Sequence, residues 1–465
     1  MKQIMPVLMP AGQSPLYLQL YKYIKDAILD GTLFGGQKLP SLRALAKSLE
    51  ISTTTVGLAY DQLLVEGYIF SKPGSGYYIS KISSGMGTPL AKGVDTAEEE
   101  LAKEGGFYYD PATFDFAKWK KCTNQVLTEY AHLLLHESDP QGELALRNEI
   151  AKYIYQSRGV ICTPSQIVIG AGTQQITGQL SILLSHLHIK NVSLEDPCYL
   201  PVKNIFRDRG FQIISVPVGK EGLHISMLPQ NLPSAVYVSP SNQFPTGAVI
   251  PIGKRVELLA WAKNNDSLII EDDYDSELRY FGRPIPALQG LDTNHLVVYL
   301  GSFSSTLFSS IKISYMVLPP FMASIFQGLK RDYTQTCSKM EQLALALYME
   351  KGQYQTGIKK LRALCSQKLH LVTSLLTKNG GDFIKLTNPT SGVNIIVNVK
   401  SKKSSEQLCE EGASLGIQLF PVSLYTDNLF SEYASLVLYF NQIPLEKIPT
   451  AIGDLLELWR KDENL

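Results

Sequence analysis

The stretch from residue 15 to residue 79 reads PLYLQLYKYIKDAILDGTLFGGQKLPSLRALAKSLEISTTTVGLAYDQLLVEGYIFSKPGSGYYI and carries its own punctuation. Tyr17, Leu20, Tyr21, Ile24 and Ile28 recur at helical spacing until Gly31 stops the pattern. Ser41, directly after Pro40, offers a side-chain oxygen to the free amides of a second helix, with Leu42, Leu45, Ala46 and Leu49 on one face. Ser52 repeats that signal for a third helix, which buries Val56, Ala59, Tyr60, Leu63 and Leu64. Beyond Gly67 the pattern becomes two short β-prone runs around Pro73-Gly74-Ser75-Gly76. Three helices followed by a hairpin are the order of a winged helix-turn-helix.

The whole chain has 465 residues, more than one hydrophobic core usually organises, so the fold class expected is multidomain. Hydrophobic residues make up 45% and charged residues 18%, which supports a sizeable core and argues against global disorder. Cys122, Cys162, Cys198, Cys337, Cys365 and Cys409 are scattered without a C-x-x-C pair, so reduced thiols in a cytoplasmic setting are expected, and no metal site. No apolar run approaches the roughly 18 residues of a membrane span, and the N-terminal segment with Pro6 and Pro10 does not read as a secretory signal. The boundaries predicted are 1–80 for the winged helix-turn-helix, 81–107 for a linker with a helical middle, and 108–465 for a larger domain. In that domain QIVIGAG, NVSLEDP, FQIISVPV, AVYVSP, SLIIEDD and VVYLGS alternate with helical segments, the texture of a mostly parallel sheet, and runs near 393–399, 416–422 and 436–440 predict a small C-terminal α+β lobe.

In a helix-turn-helix the start of the second motif helix faces base edges in the major groove, and here that start is Ser52-Thr53-Thr54-Thr55. Hydroxyls and free helix-terminal amides suit phosphate and base contacts, while Arg43, Lys47 and Lys72 can neutralise backbone charge. Residues 1–80 hold 7 Lys+Arg against 5 Asp+Glu, a weak surplus, and local sequence alone reads equally well as a capped helix with a solvated threonine run. The whole stretch, including LPSLRALA, TTVGLAY and the G-S-G wing, resembles the DNA-binding domain of the GntR family. That resemblance implies that Arg43, Ser52, Thr53, Thr54 and the wing residues Gly74, Ser75 and Gly76 contact double-stranded operator DNA. Thr53 stands where the family commonly has arginine, so a bidentate guanine contact is lost or moved.

Four later segments suit an anionic aromatic ligand. IVIGAGTQQ ends a strand with Gly172, Thr173 and Gln174 at a helix start, where backbone amides can approach a phosphate. IIEDDYDSELRY puts Asp272, Asp273 and Tyr274 at a strand end, where a carboxylate can meet a protonated pyridine nitrogen. SPSNQFPTG is a turn with Asn242, and GSFSSTLFSSIKISY supplies Ser302, Ser304 and Lys312. In this order they resemble the fold-type I aminotransferase domain of the MocR (GabR-like) subgroup of GntR regulators. The resemblance implies pyridoxal phosphate (PLP) held by Asp272 and Tyr274, a stacking ring at Tyr199, phosphate contacts at Thr173, Gln174 and Ser302, and a dimer arranged head to tail.

The family's cofactor-binding lysine follows the S-F-S triplet, and here that residue is Ser305. A hydroxyl cannot form a Schiff base or shuttle the protons of transamination, so catalysis is not expected. Lys312 stands where the family carries a phosphate-binding arginine, Asn242 where the subgroup tends to have histidine, and ASLVLYFNQ lacks a carboxylate-gripping arginine. The favoured reading is a regulator that senses a small-molecule effector without covalent chemistry, with PLP or pyridoxamine phosphate as non-covalent candidates. The alternatives are a working PLP aminotransferase fused to a DNA-binding domain and an effector-independent regulator whose large domain only dimerises.

Overall fold

The computed structural model describes residues 14–81, 107–280, 285–426 and 433–461. Most of the expected linker, including its predicted helical middle, lies outside the described residues. The chain divides into two compact units, Met1–Glu98 and Glu99–Leu465.

In the first unit, α1 (Leu16–Leu29), α2 (Leu42–Leu49) and α3 (Thr53–Val65) precede the antiparallel strands β1 (Ile69–Lys72) and β2 (Gly76–Ile79). Both predicted caps are present: Ser41 Oγ accepts from the Ala44 amide at 3.3 Å and Ser52 Oγ from the Thr55 amide at 3.0 Å. Each satisfies an amide that the helix itself leaves free, worth about 1 kcal/mol. Gly74 and Gly76 turn the hairpin at φ 73° and 104°, backbone that a side chain would strain. Leu20 and Ile24 of α1 close on Val56, Ala59, Tyr60 and Leu63 of α3 and on Ile69 and Ile79 of the hairpin. Burial of each such side chain contributes about 1.5–3 kcal/mol, which lets so small a unit hold one core.

The second unit is built on β3 (Ile167–Gly170), β4 (Asn191–Asp196), β5 (Gln212–Gly219), β6 (Gly222–Leu223), β7 (Ala235–Val238), β8 (Leu268–Asp272), β9 (Val297–Ser302) and β10 (Ser314–Val317). Their order in the sheet is β3-β10-β9-β8-β7-β4-β5-β6. The run from β9 to β5 is parallel, as the alternation of short apolar runs with helices requires. Two strands depart from the expected list: β10 runs antiparallel between β3 and β9, and β6 folds back on β5. β6 spans two residues and β10 four, the first of them a serine, too short an apolar run to distinguish a strand from a buried loop.

The C-terminal lobe is an antiparallel sheet of β11 (Ile384–Thr387), β12 (Asn394–Val399), β13 (Leu419–Pro421) and β14 (Ala434–Tyr439), in the order β11-β12-β14-β13. The helix Gln353–Gly380 starts in the core beneath the large sheet through Tyr354 and Ile358 and ends in the lobe's core through Leu369, Val372 and Leu376. It therefore fixes the lobe against the carboxyl ends of the parallel strands, where open α/β sheets place their ligands. No described helix is long and apolar enough to cross a membrane.

Candidate functional site

A cavity of about 570 Å³ opens at those strand ends. Gly172, Thr173 and Gln174 enter it from the helix start after β3, Glu195 and Tyr199 from the end of β4, and Tyr237 from β7. Asp272 to Asp275 come from the end of β8, Ser302, Ser304 and Ser305 from the loop after β9, and Lys312 from the turn into β10. The lobe closes one side with Val393, Tyr439, Asn441 and Gln442. Apart from Asn242, every residue expected from the sequence to face a cofactor or effector lies on this wall.

Asn242 is a correction. It is buried, but its Oδ1 accepts from Ser391 Oγ at 2.8 Å and its amide packs against Gly392, so the side chain faces the lobe. The wall position falls to its neighbour Gln243, whose Nε2 donates to the Pro197 carbonyl at 2.7 Å.

The adjacent acids after β8 have separate fates. Asp273 is spent on structure: Arg158 Nε and Nη2 donate to its two oxygens at 2.8 and 2.7 Å, and Ser276 and Tyr299 add 2.8 and 2.5 Å contacts. A planar guanidinium forked on a carboxylate is the strong, orienting form of this contact. Asp272 accepts only from the Tyr237 hydroxyl, at 2.7 Å, and burial pushes its carboxyl up to about 6. Asp275 sits at φ 53° and accepts from the Val393 amide at 3.2 Å through Oδ2; burial pushes it to about 6 against the opposing pull of Ser305 and Tyr274. Glu195, whose Oε2 accepts from the Ser239 amide at 3.0 Å, is pushed by burial to about 8.

The helix start after β3 and the loop after β9 bring small donors to the same cavity. Ser302 Oγ accepts from Ser314 Oγ at 2.9 Å and from the Ser304 amide at 3.3 Å. The helix Gly172–His186 begins without a capping side chain, leaving its first amides to face the cavity. Gly172 is at φ 83°, and a Cβ there would stand 3.8 Å from Lys312 Cδ. Lys312 is the one lysine among the described lining residues, and no arginine is among them. Tyr199 meets Phe244 edge-on at 6.0 Å and is 40% exposed as a residue.

In the first unit Arg43, Ser52, Thr53, Thr54, Lys72, Gly74, Ser75 and Gly76 are all exposed. Ser52 Oγ and Thr55 Oγ1 bond each other at 2.8 Å, so the hydroxyls of Thr53 and Thr54 are the open pair at the start of α3. Sequence reading missed the support of the wing: Lys72 Nζ lies 4.8 Å and Lys38 Nζ 5.8 Å from the ring centre of Tyr78, whose hydroxyl bonds Ser75 Oγ at 2.7 Å. An aromatic flanked by lysines in a hairpin was the available signal. Tyr237 and Glu195 were also missed as site residues; each reads from sequence as a buried strand position.

Residues 16–79 match the family described as bacterial regulatory proteins, gntR family, and residues 104–425 match aminotransferase class I and II. The uncharacterized HTH-type transcriptional regulator YdeL of Bacillus subtilis is 38% identical over 429 residues, 90% of this chain and 92% of that protein. The probable rhizopine catabolism regulatory protein MocR of Rhizobium meliloti is 29% identical over 432 residues, 88% of this chain and 87% of its own length. Kynurenine aminotransferase of Pyrococcus horikoshii superposes with a TM-score of 0.66 at 23% identity, covering 82% of this chain and 98% of the enzyme, a likeness of fold.

Proposed function

The chain belongs to the MocR-type branch of the GntR family of transcription regulators, and from that membership we propose that its second unit holds a small-molecule effector without covalent capture and without catalysis. One observation carries the reading. Ser305 lines the wall after β9, where the family resemblance expects an amine, and the one lysine among the described lining residues, Lys312, lies beside Gly172. A primary amine is needed to bind an aldehyde cofactor covalently, and a serine supplies none.

The remaining residues fit PLP or pyridoxamine phosphate held by non-covalent contacts alone. Asp272, partly buried and oriented by Tyr237, would hold the ring nitrogen. The uncapped helix start at Gly172, with Lys312 and Ser302, would hold the phosphate. Bound by a lysine, the group would act as an electron sink; here it would be a ligand.

Operator binding falls to the first unit, with Arg43, Thr53 and Thr54 on the groove side and Lys72 with Gly74 to Gly76 at the wing. We place the working form as a head-to-tail dimer. A ligand switches DNA binding only through a difference in its affinity for two arrangements, so the cavity wall needs a mechanical tie to the linker. Lys368 supplies one within the second unit: its Nζ bonds the Asn441 carbonyl at 2.6 Å and pairs with Asp110 at 2.6 Å, near the first residues described after the linker.

The reading is tested by isolating genomic fragments that the full chain retains and titrating one with and without pyridoxamine phosphate. A shift in affinity that Asp272→Asn abolishes supports it. Equal affinity at saturating ligand supports instead a large unit that only dimerises.

A further inference from the structure

Among the described residues, three buried acceptor atoms of the cavity wall, Glu195 Oε1, Asp275 Oδ1 and Asn441 Oδ1, complete no hydrogen bond by geometry, although the Ser305 and Tyr274 hydroxyls stand near Asp275 and Gln243 stands near Glu195. Glu195 and Asp275 are 3% and 2% exposed. An acceptor left in that state costs about 1–3 kcal/mol, and more when charged. Asp273, on the same wall, shows what satisfaction looks like, with Arg158, Ser276 and Tyr299 all donating to it.

Among the described residues no cation is brought to these oxygens, since Lys312 lies beside Gly172 and no arginine lines the cavity. Around them stand the rings of Tyr199, Phe244, Tyr274 and Tyr439, whose faces attract a cation. Three chemistries can be compared at this place. An aldehyde oxygen only accepts, so it leaves the acceptors unpaired. An amino-acid carboxylate adds a negative charge to a wall that already holds Asp272 and Asp275. A protonated primary amine brings three donors and the missing charge.

We infer that the cavity selects a ligand carrying a phosphate at the Lys312 end and a protonated primary amine toward Asp275, Glu195 and Asn441, and rejects the matching aldehyde and amino-acid adduct. The inference rests on the non-covalent ligand reading above and goes further by naming which functional group is chosen. On a pyridine phosphate scaffold the amine form is pyridoxamine phosphate.

Calorimetry of the full chain with three probes on that scaffold tests it: pyridoxamine phosphate, PLP, and the reduced phosphopyridoxyl adduct of L-alanine. The expected result is that the amine binds at least tenfold tighter than either of the others, and that Asp275→Asn or Glu195→Gln narrows the gap at least threefold. Binding of PLP or of the adduct as tight as the amine overturns the selection while leaving the non-covalent reading intact. Absence of binding by all three overturns both. The comparison among ligands uses the unaltered protein, so it stands even if a variant fails to fold.

Discussion

The Tyr237 hydroxyl donates to Asp272 Oδ2 at 2.7 Å on the cavity wall, and it is the one side-chain bond described for that carboxylate. Tyr237 is buried on β7, the neighbour of β8 in the sheet, so the register of two strands sets the direction of the Asp272 oxygens. Removing the hydroxyl with Tyr237→Phe should weaken pyridoxamine phosphate binding about fivefold, the worth of one hydrogen bond of ~1 kcal/mol. Asp272→Asn should weaken it further, by about 30-fold or more, because a charged contact is lost. Calorimetry on the two variants checks the order.

Burial raises the Glu195 carboxyl from the ordinary value of 4.5 to about 8. A raised acid holds its proton more tightly in the folded state, so its stabilising effect is full below about pH 4.5 and is lost as pH rises through about 8. Thermal melts of the ligand-free protein should therefore fall across that window, and Glu195→Gln should flatten the fall. An unchanged slope would show that other buried acids set it.

Lys368 is fully buried against Asp110, with a 2.6 Å contact. Lys368→Met strands the aspartate and should cost about 3–5 kcal/mol in unfolding free energy. Pairing it with Asp110→Asn should recover part of that loss, since the uncompensated charge is gone. Chemical denaturation of the single and double variants measures the coupling.

Thr53→Ala and Arg43→Ala leave the core of the first unit untouched, because both side chains are exposed. Each should lower operator affinity, by about fivefold or more, without lowering the melting temperature. Arg43→Ala should also reduce the salt dependence of binding, as expected when one phosphate contact is removed. Ser52→Ala differs: it removes the cap on the Thr55 amide and should destabilise the unit by about 1 kcal/mol.

The first unit was legible because its signals are local. A serine cap, an apolar period and a Gly-Ser-Gly turn each act within a few residues, and Ser41, Ser52 and Gly74 stand where those signals place them. The parallel strands were legible for the same reason. What escaped depends on residues far apart in the chain. Nothing in SPSNQFPTG tells that Asn242 turns toward Ser391 while Gln243 takes the wall, because that choice is made by the lobe. The antiparallel β10 was hidden in a loop read for its donors. The acceptors of Glu195, Asp275 and Asn441 belong to three separate segments, and only their meeting in one cavity reveals that they complete no hydrogen bond.

The central claim is that this cavity holds its ligand without a covalent bond, and reductive trapping addresses it directly. The full chain is saturated with PLP, treated with borohydride, digested, and the peptides containing Ser305 and Lys312 are weighed. The account predicts both peptides unmodified, with native mass spectrometry of the protein loaded instead with pyridoxamine phosphate showing one ligand per chain that is lost on unfolding. A phosphopyridoxyl group fixed on Lys312, abolished by Lys312→Ala, would contradict it.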